Sequence, residues 1–156
     1  MTTRTLTLTD SRPHFRPPNK LERVLNRAFG GLIALGGGFA HNRVLEVRGR
    51  RSGKLYRTPV NLLVHEGEHY LVAPRGRTQW VRNVEVTPEI SLRRGKRITR
   101  YRVEPLPLNE RAPILQVYLR AYRAEVSTYF GLQADADIGE FEAVAARHPV
   151  FRLRVE

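Results

Sequence analysis

The chain's 156 residues suit one domain, and 41% hydrophobic content is enough for a packed core rather than a disordered chain. It has no cysteine, which removes disulfides, thiolate metal sites and cysteine nucleophiles and is compatible with a reducing cytosol. The formal charge of +12 is concentrated in residues 43–102, where fifteen Lys/Arg against five Asp/Glu give +10, with +4 before and −2 after.

Such a charge suits an anionic partner: nucleic acid, anionic lipid or a polyanionic cofactor. It also fits solvated strand faces that serve only solubility. Residues 1–18 read as a loose arm, since Pro13, Pro17 and Pro18 disfavour regular structure. Asn19 opens an expected helix whose apolar stripe runs through Leu21, Val24, Leu25, Ala28, Phe29, Leu32 and Ile33, ending at Gly36–Gly38. The helix either packs on the domain or lies on a membrane as a basic amphipathic segment over residues 19–40. The longest apolar run, Phe29–Ala40, is too short and too glycine-rich to span a bilayer, so a soluble, cytoplasmic protein is expected.

From Arg43 the period changes to that of strands. Leu45 and Val47 alternate with Glu46 and Arg48, and a Gly49–Gly53 turn leads to a strand over Tyr56–Val64. A hairpin turn at His65–Glu68 precedes a strand over His69–Ala73. Thr78 is placed to cap a short helix stopped by Pro88. Strands over Glu89–Leu92 and Arg97–Glu104 flank a turn at Arg94–Lys96, and Asn109 opens a longer helix. A loop over 131–139, a short helix over Ile138–Arg147 and a strand over Val150–Arg154 complete the pattern. Short antiparallel strands with peripheral helices predict an α+β fold built on a small barrel, which leaves no open edges. The expected division is residues 1–42 as arm and helix, and 43–156 as the barrel domain.

Two local features could carry chemistry. In Gly49–Lys54, two glycines bracket a turn whose amides can approach an anion, with Ser52 as a hydroxyl donor and Arg50, Arg51, Lys54 and Arg57 as cations. The glycine spacing is not that of a P-loop. In Trp80–Asn83, the single tryptophan stands three residues before an asparagine, so both share a helical face and could wall a planar ring. A core-plugging Trp with a solvent-facing Asn is the plainer reading. Tyr118, Tyr122 and Tyr129 could donate protons or hydrogen bonds, or could pack an amphipathic helix. The five histidines are dispersed; His65 and His69 with Glu66 and Glu68 allow a metal cluster, but exposed turn polarity explains them better, and no metal is expected.

Taken in order, GRRSGKLYRTPVN (Gly49–Asn61), LVAPRG (Leu71–Gly76), WVRN (Trp80–Asn83) and HPVFRL (His148–Leu153) resemble the deazaflavin-dependent nitroreductase family of split-barrel flavin-binding proteins, over roughly residues 43–156. The resemblance implies an FMN-binding type of split β-barrel and hydride transfer from coenzyme F-420, a reduced 8-hydroxy-5-deazaflavin, to a small activated acceptor such as a quinone, enone or nitro compound. It assigns the cofactor phosphate and acidic tail to Arg50, Arg51, Ser52 and Gly53. It sets Arg57, Thr58, Pro59, Val60 and Asn61 along the deazaflavin, with Arg75, Trp80 and Asn83 beside it. Tyr118, Tyr122 and Tyr129 are the candidate catalytic tyrosines. Two departures stand out: relatives that reduce bulky nitroaromatics have a tyrosine in place of Asn61 and a serine in place of Pro74. FMN is the alternative cofactor. A carrier of flavin, deazaflavin or lipid on the same barrel is the alternative function, and a homodimer is compatible with the fold. A nucleic-acid module would explain the charge, but the interleaved aromatics of such modules are missing, so no nucleic-acid partner is expected.

Overall fold

A computed structural model of the chain describes residues 38–156. Six strands, β1 (Asn42–Arg48), β2 (Leu55–His65), β3 (Glu68–Val72), β4 (Glu89–Arg94), β5 (Arg97–Pro105) and β6 (Val150–Val155), pair antiparallel throughout. Their order is β1-β2-β3-β6-β5-β4, and β4 pairs back onto β1 to close the barrel. The α+β split-barrel expectation is therefore met. The expected arm and most of the expected first helix lie outside the described residues.

Alternation along the strands builds two cores. Leu45, Val47, Leu62, Leu71, Ile90, Leu92, Tyr101, Val103, Phe151 and Leu153 form one cluster with Val81 and Val84 of helix α1 (Gln79–Val86). The opposite parity of β2, β3 and β6 supplies Leu63, Tyr70, Val72 and Val150 to a second core. That core is covered by α2 (Leu108–Phe130) and α3 (Ile138–Val144), the latter running into a 3-10 turn at Ala145–Arg147. Ala112, Leu115, Tyr118, Leu119, Tyr122, Val126 and Phe130 recur at helical spacing on the buried side of α2.

The β2–β3 hairpin has a two-residue loop, Glu66–Gly67, with φ of 50° and 76°. Positive φ at both positions matches the twist of the flanking strands. Helix boundaries differ from the sequence reading at two starts. α2 opens at Leu108 with Pro107 in the cap position, so Asn109 sits inside the first turn. Thr78 holds the cap position of α1 but makes no side-chain cap bond. Asp137 and Glu140 bond each other's backbone N–H, at 3.0 and 3.1 Å, and fix the start of α3 reciprocally.

α2 is broken at Tyr122, where φ −121° and ψ 26° leave the helical region. Pro113 lies too far upstream to account for it. The Tyr122 hydroxyl donates to the Leu62 carbonyl at 2.8 Å and ties the break to β2. Beyond the break, Glu125, Val126 and Tyr129 face a cavity.

Candidate active site

A cavity of about 350 Å3 lies between β2, the chain leaving β3, the start of α1 and the second half of α2. Thr58, Pro59, Val60 and Asn61 form one wall, and Pro74 and Arg75 another. Thr78, Gln79 and Trp80 form the third, facing Tyr118, Glu125 and Tyr129. Pockets of roughly 300–1,000 Å3 hold small ligands, so this one is of a size for a ring system rather than for a ring with a long tail.

Trp80 is partly exposed, with its indole 5.7 Å from the Phe151 ring, and contributes an apolar wall. Arg75 lies over the Tyr129 ring with its guanidinium carbon 5.4 Å from the centroid. The Thr78 hydroxyl is buried with no hydrogen-bond partner. α1 has no acidic residue in its first turn, so the positive end of the helix also lacks a carboxylate there. A buried hydroxyl without a partner and a helix start without an acid, both on one cavity wall, fit an anionic or carbonyl-rich ligand.

The basic turn sits beside this wall, and α1 holds it. Gly53 adopts φ 68° and donates its N–H to the Gly49 carbonyl at 2.9 Å. A Cβ on Gly49 would come within 2.5 Å of the Tyr56 ring. Asn83, buried to 4% exposure, accepts from the Arg50 backbone at 3.2 Å and from Arg50 Nη1 at 2.9 Å. Gln79 accepts from the same guanidinium at 3.0 Å. Ser52 Oγ accepts from the Lys54 N–H at 3.2 Å, and Arg51 is exposed. The plainer reading of Trp80 and Asn83 is thus reversed: Asn83 is the buried member and Trp80 faces the cavity. Asn83 is outside the cavity lining and contacts the basic turn through Arg50.

Of the remaining expected residues, Arg57 is outside the cavity lining and donates to Glu46 at 3.1 Å, with Arg93 on the same carboxylate oxygen at 3.0 Å. Burial alone would raise the Glu46 pKa, but hydrogen bonds from Arg93 and Arg57 hold it below the ordinary carboxylate value. Tyr118 is buried, and burial pushes its hydroxyl well above the ordinary tyrosine range, against a hydrogen bond with Asn61. Asn61 in turn accepts from Asn42 Nδ2 at 2.9 Å. Tyr122 lies outside the cavity lining with its hydroxyl on Leu62, and burial raises its pKa too. Tyr129 lines the cavity half-exposed. Among the described residues, no three or more His, Asp and Glu side chains are grouped so as to hold a metal ion.

Sequence reading missed Thr78 as a wall residue because a threonine before a helix reads first as a cap. It also missed Glu125, whose only signal was its place one turn past Tyr122 on the helix.

The family model of the F420H2-dependent quinone reductases matches residues 21–138. The chain belongs to that family. It is accordingly an oxidoreductase of the deazaflavin-dependent type, and coenzyme F-420 is its cofactor. The match begins within the segment read as arm and helix and stops before His148–Leu153, so it extends past the resemblance seen in the sequence at one end and falls short of it at the other.

Solved structures agree on the fold. An F420-H2 dependent reductase, FDR-A, is similar at 21% identity and a TM-score of 0.52, covering 76% of this chain and all of that one. A chain described as a domain-swapped dimer is similar at 20% identity and 0.54, covering 86% and 94%. A heme binding protein from Mycobacterium smegmatis is similar at 17% identity and 0.51, covering 80% and 49%. No curated protein matches the chain in sequence.

Proposed function

We propose that this reductase passes a hydride from the deazaflavin ring, held in the cavity between Trp80 and β2, to a quinone. The observation that carries the reading is one cavity shared by Thr58–Asn61, Arg75, Trp80, Tyr118 and Tyr129, with a partnerless Thr78 hydroxyl in its wall. When bound, the reduced cofactor supplies the hydride. The chain's own residues bind, orient and exclude water. Trp80, Pro59 and Val60 take the faces of the ring system. Thr78, Gln79 and Arg75 offer donors to its polar edge, and Tyr118 steadies Asn61. The cavity is too small for a tail, so Arg50, Arg51, Ser52 and Gly53 would hold the phosphate and tail, with Asn83 keeping the turn in place. Arg57 adds charge at the margin, and Tyr122 anchors the helix that carries Tyr129.

A compact Asn61 supports small planar acceptors over bulky nitroimidazoles; enones and small nitro compounds fit the same space. In this reading residues 43–156 form the catalytic domain. We place the protein in the cytoplasm; among the described residues no helix is long and apolar enough to cross a membrane. Homodimerisation and membrane contact through residues 19–40 belong to the same proposal, with sedimentation and vesicle flotation as their tests.

The test is oxidation of reduced coenzyme F-420 against a panel of quinones, enones and nitro compounds, with deuterium on the donor carbon. Deuterium in the product is the expected result. Tight cofactor binding without turnover for any acceptor would instead favour a carrier. Salt-sensitive DNA binding without cofactor binding would favour a nucleic-acid module.

A further inference from the structure

We infer that Asn42, a residue outside the cavity lining, fixes the Asn61 amide with its N–H groups toward the cavity, where they read a carbonyl oxygen of the acceptor or of the cofactor ring. The inference rests on the reductase reading above. Asn61 is the cavity-lining residue of β2 farthest along the strand from the basic turn, since it pairs with Asn42 at the opposite end of β1 from Arg48. It is partly buried, whereas Asn42 behind it is 1% exposed.

A side-chain amide fits its site either way round, and the bonds it makes decide which. Here the decision starts from a backbone N–H, which can only donate. The Phe39 N–H donates to Asn42 Oδ1 at 2.7 Å. The Asn42 N–H returns a bond to the Phe39 carbonyl at 3.0 Å, so the turn before β1 is closed from both ends. With its oxygen taken, Asn42 meets Asn61 through nitrogen, and Nδ2 donates to Asn61 Oδ1 at 2.9 Å. That uses the Asn61 oxygen on the β1 side and leaves its nitrogen, with two N–H groups, for the cavity side. Tyr118 agrees with this orientation. Burial raises its pKa, and the bond with Asn61 lowers it, which is the sign of an N–H donated to the phenol oxygen.

The polarity of this wall is thus set one residue behind it. A donor facing a carbonyl oxygen orients that oxygen, and the bond strengthens as the oxygen gains charge. An Asn61 turned over would present its own oxygen to the same place and repel a carbonyl there. Asn42 is therefore a positioning residue, and Asn61 is the residue that meets the ligand.

The experiment uses the full chain with Asn61→Asp, Asn42→Asp and Asn42→Ala. Asn61→Asp keeps an oxygen for Asn42 and removes the N–H groups from the cavity. Asn42→Asp still accepts from Phe39 but cannot donate, so its carboxylate takes the Asn61 N–H groups and turns the Asn61 oxygen toward the cavity. Asn42→Ala releases the amide without inverting it. Fluorescence titration gives the Kd of reduced cofactor, and steady-state rates give kcat and KM with menadione. Asn61→Asp and Asn42→Asp should each lose about tenfold in Kd or in kcat/KM, and Asn42→Ala should lose less than Asn42→Asp although it leaves the larger gap in packing. A loss in Kd puts the oxygen on the cofactor ring; a loss in kcat/KM at unchanged Kd puts it on the acceptor. In the cofactor-free protein, nuclear Overhauser contacts should link the Asn61 side-chain NH2 to the Tyr118 ring, and Asn42→Asp should abolish them. If Asn42→Asp fails to fold, Asn61→Asp and the parent's Overhauser contacts decide. Parent-like Kd and kcat/KM in Asn61→Asp, losses in the Asn42 variants that merely follow melting temperature, or a parent Asn61 NH2 found against Asn42 would overturn the inference. A parent without turnover would overturn the reductase reading, and the Overhauser contacts and cofactor Kd would still test the amide.

Discussion

Asn83 accepts two hydrogen bonds from Arg50, one from its backbone at 3.2 Å and one from its guanidinium at 2.9 Å. A buried amide on a helix therefore holds the conformation of an exposed basic turn 33 residues away. Asn83→Ala strands the Arg50 donors, and loss of a partner at a buried site costs about 1–3 kcal/mol. Lower melting temperature and weaker cofactor binding are expected together. Asn83→Asp keeps the accepting oxygen and should retain most of both; equal damage from the two substitutions would assign Asn83 to packing alone.

Arg51→Ala and Ser52→Ala should separate binding from stability. Arg51 and Ser52 are exposed on the turn, and substitutions at such positions shift stability by under about 0.5 kcal/mol. Cofactor carrying an oligoglutamate tail should bind Arg51→Ala a few-fold more weakly, and the difference should fade with added salt. Tail-less cofactor should distinguish the two proteins less. Fluorescence titrations at low and high salt read both comparisons.

Trp80→Ala should cost less stability than removal of a fully buried aromatic, about 3–5 kcal/mol, because the indole is partly exposed at the cavity. Binding should suffer more than folding. Trp80→Phe should recover part of the affinity by keeping a ring against Phe151. A melting temperature that collapses in Trp80→Ala while affinity survives would contradict the placement of the ring ligand.

Glu46 sets an acid limit. Its folded-state pKa is depressed by hydrogen bonds from Arg93 and Arg57 that outweigh burial. A depressed carboxylate adds stability above its unfolded pKa and loses it as pH falls through the folded value. Melting temperature should thus hold near neutrality and fall through the acid range. Glu46→Gln should start lower and fall less steeply there. Parallel curves for the two proteins would place the acid limit elsewhere.

Tyr118 and Tyr122 set an alkaline counterpart. Burial raises both hydroxyls above their ordinary value of 10.0. Groups with a raised folded pKa contribute fully below the unfolded value and lose that contribution as pH rises beyond it. Stability should decline above the ordinary tyrosine range, and Tyr118→Phe should soften that decline. The same change removes a bond to Asn61 worth about 1 kcal/mol, while hydride transfer should continue.

The strands, their alternation and the basic turn were legible because each depends on near neighbours. Leu45 and Val47 announce an inward face by spacing alone, and Gly49–Gly53 announces a tight turn by composition. Thr78 was ambiguous for a physical reason: the same hydroxyl can cap a helix or face a ligand, and only the third dimension decides. Asn83 stood out as a candidate by its spacing from Trp80, but its bond to Arg50 was not legible, since Arg50 lies on another element. Tyr118, Tyr122 and Tyr129 read alike on a regular helix; the break at Tyr122 gives them different surroundings. The His41–Glu125 contact joins the approach to β1 with α2 and leaves no local trace.

The place of β6 between β3 and β5 bears on how the chain emerges during synthesis. Once residues through Pro105 have been made, five strands can assemble as an open sheet in the order β3-β2-β1-β4-β5. Both rims then present unpaired amides and carbonyls, a template for other nascent chains. Val150–Val155 seal both rims at once, pairing with β3 on one side and β5 on the other. A ribosome stalled between these points would hold a sticky sheet, and expression on slow codons across α2 should raise the demand for chaperones.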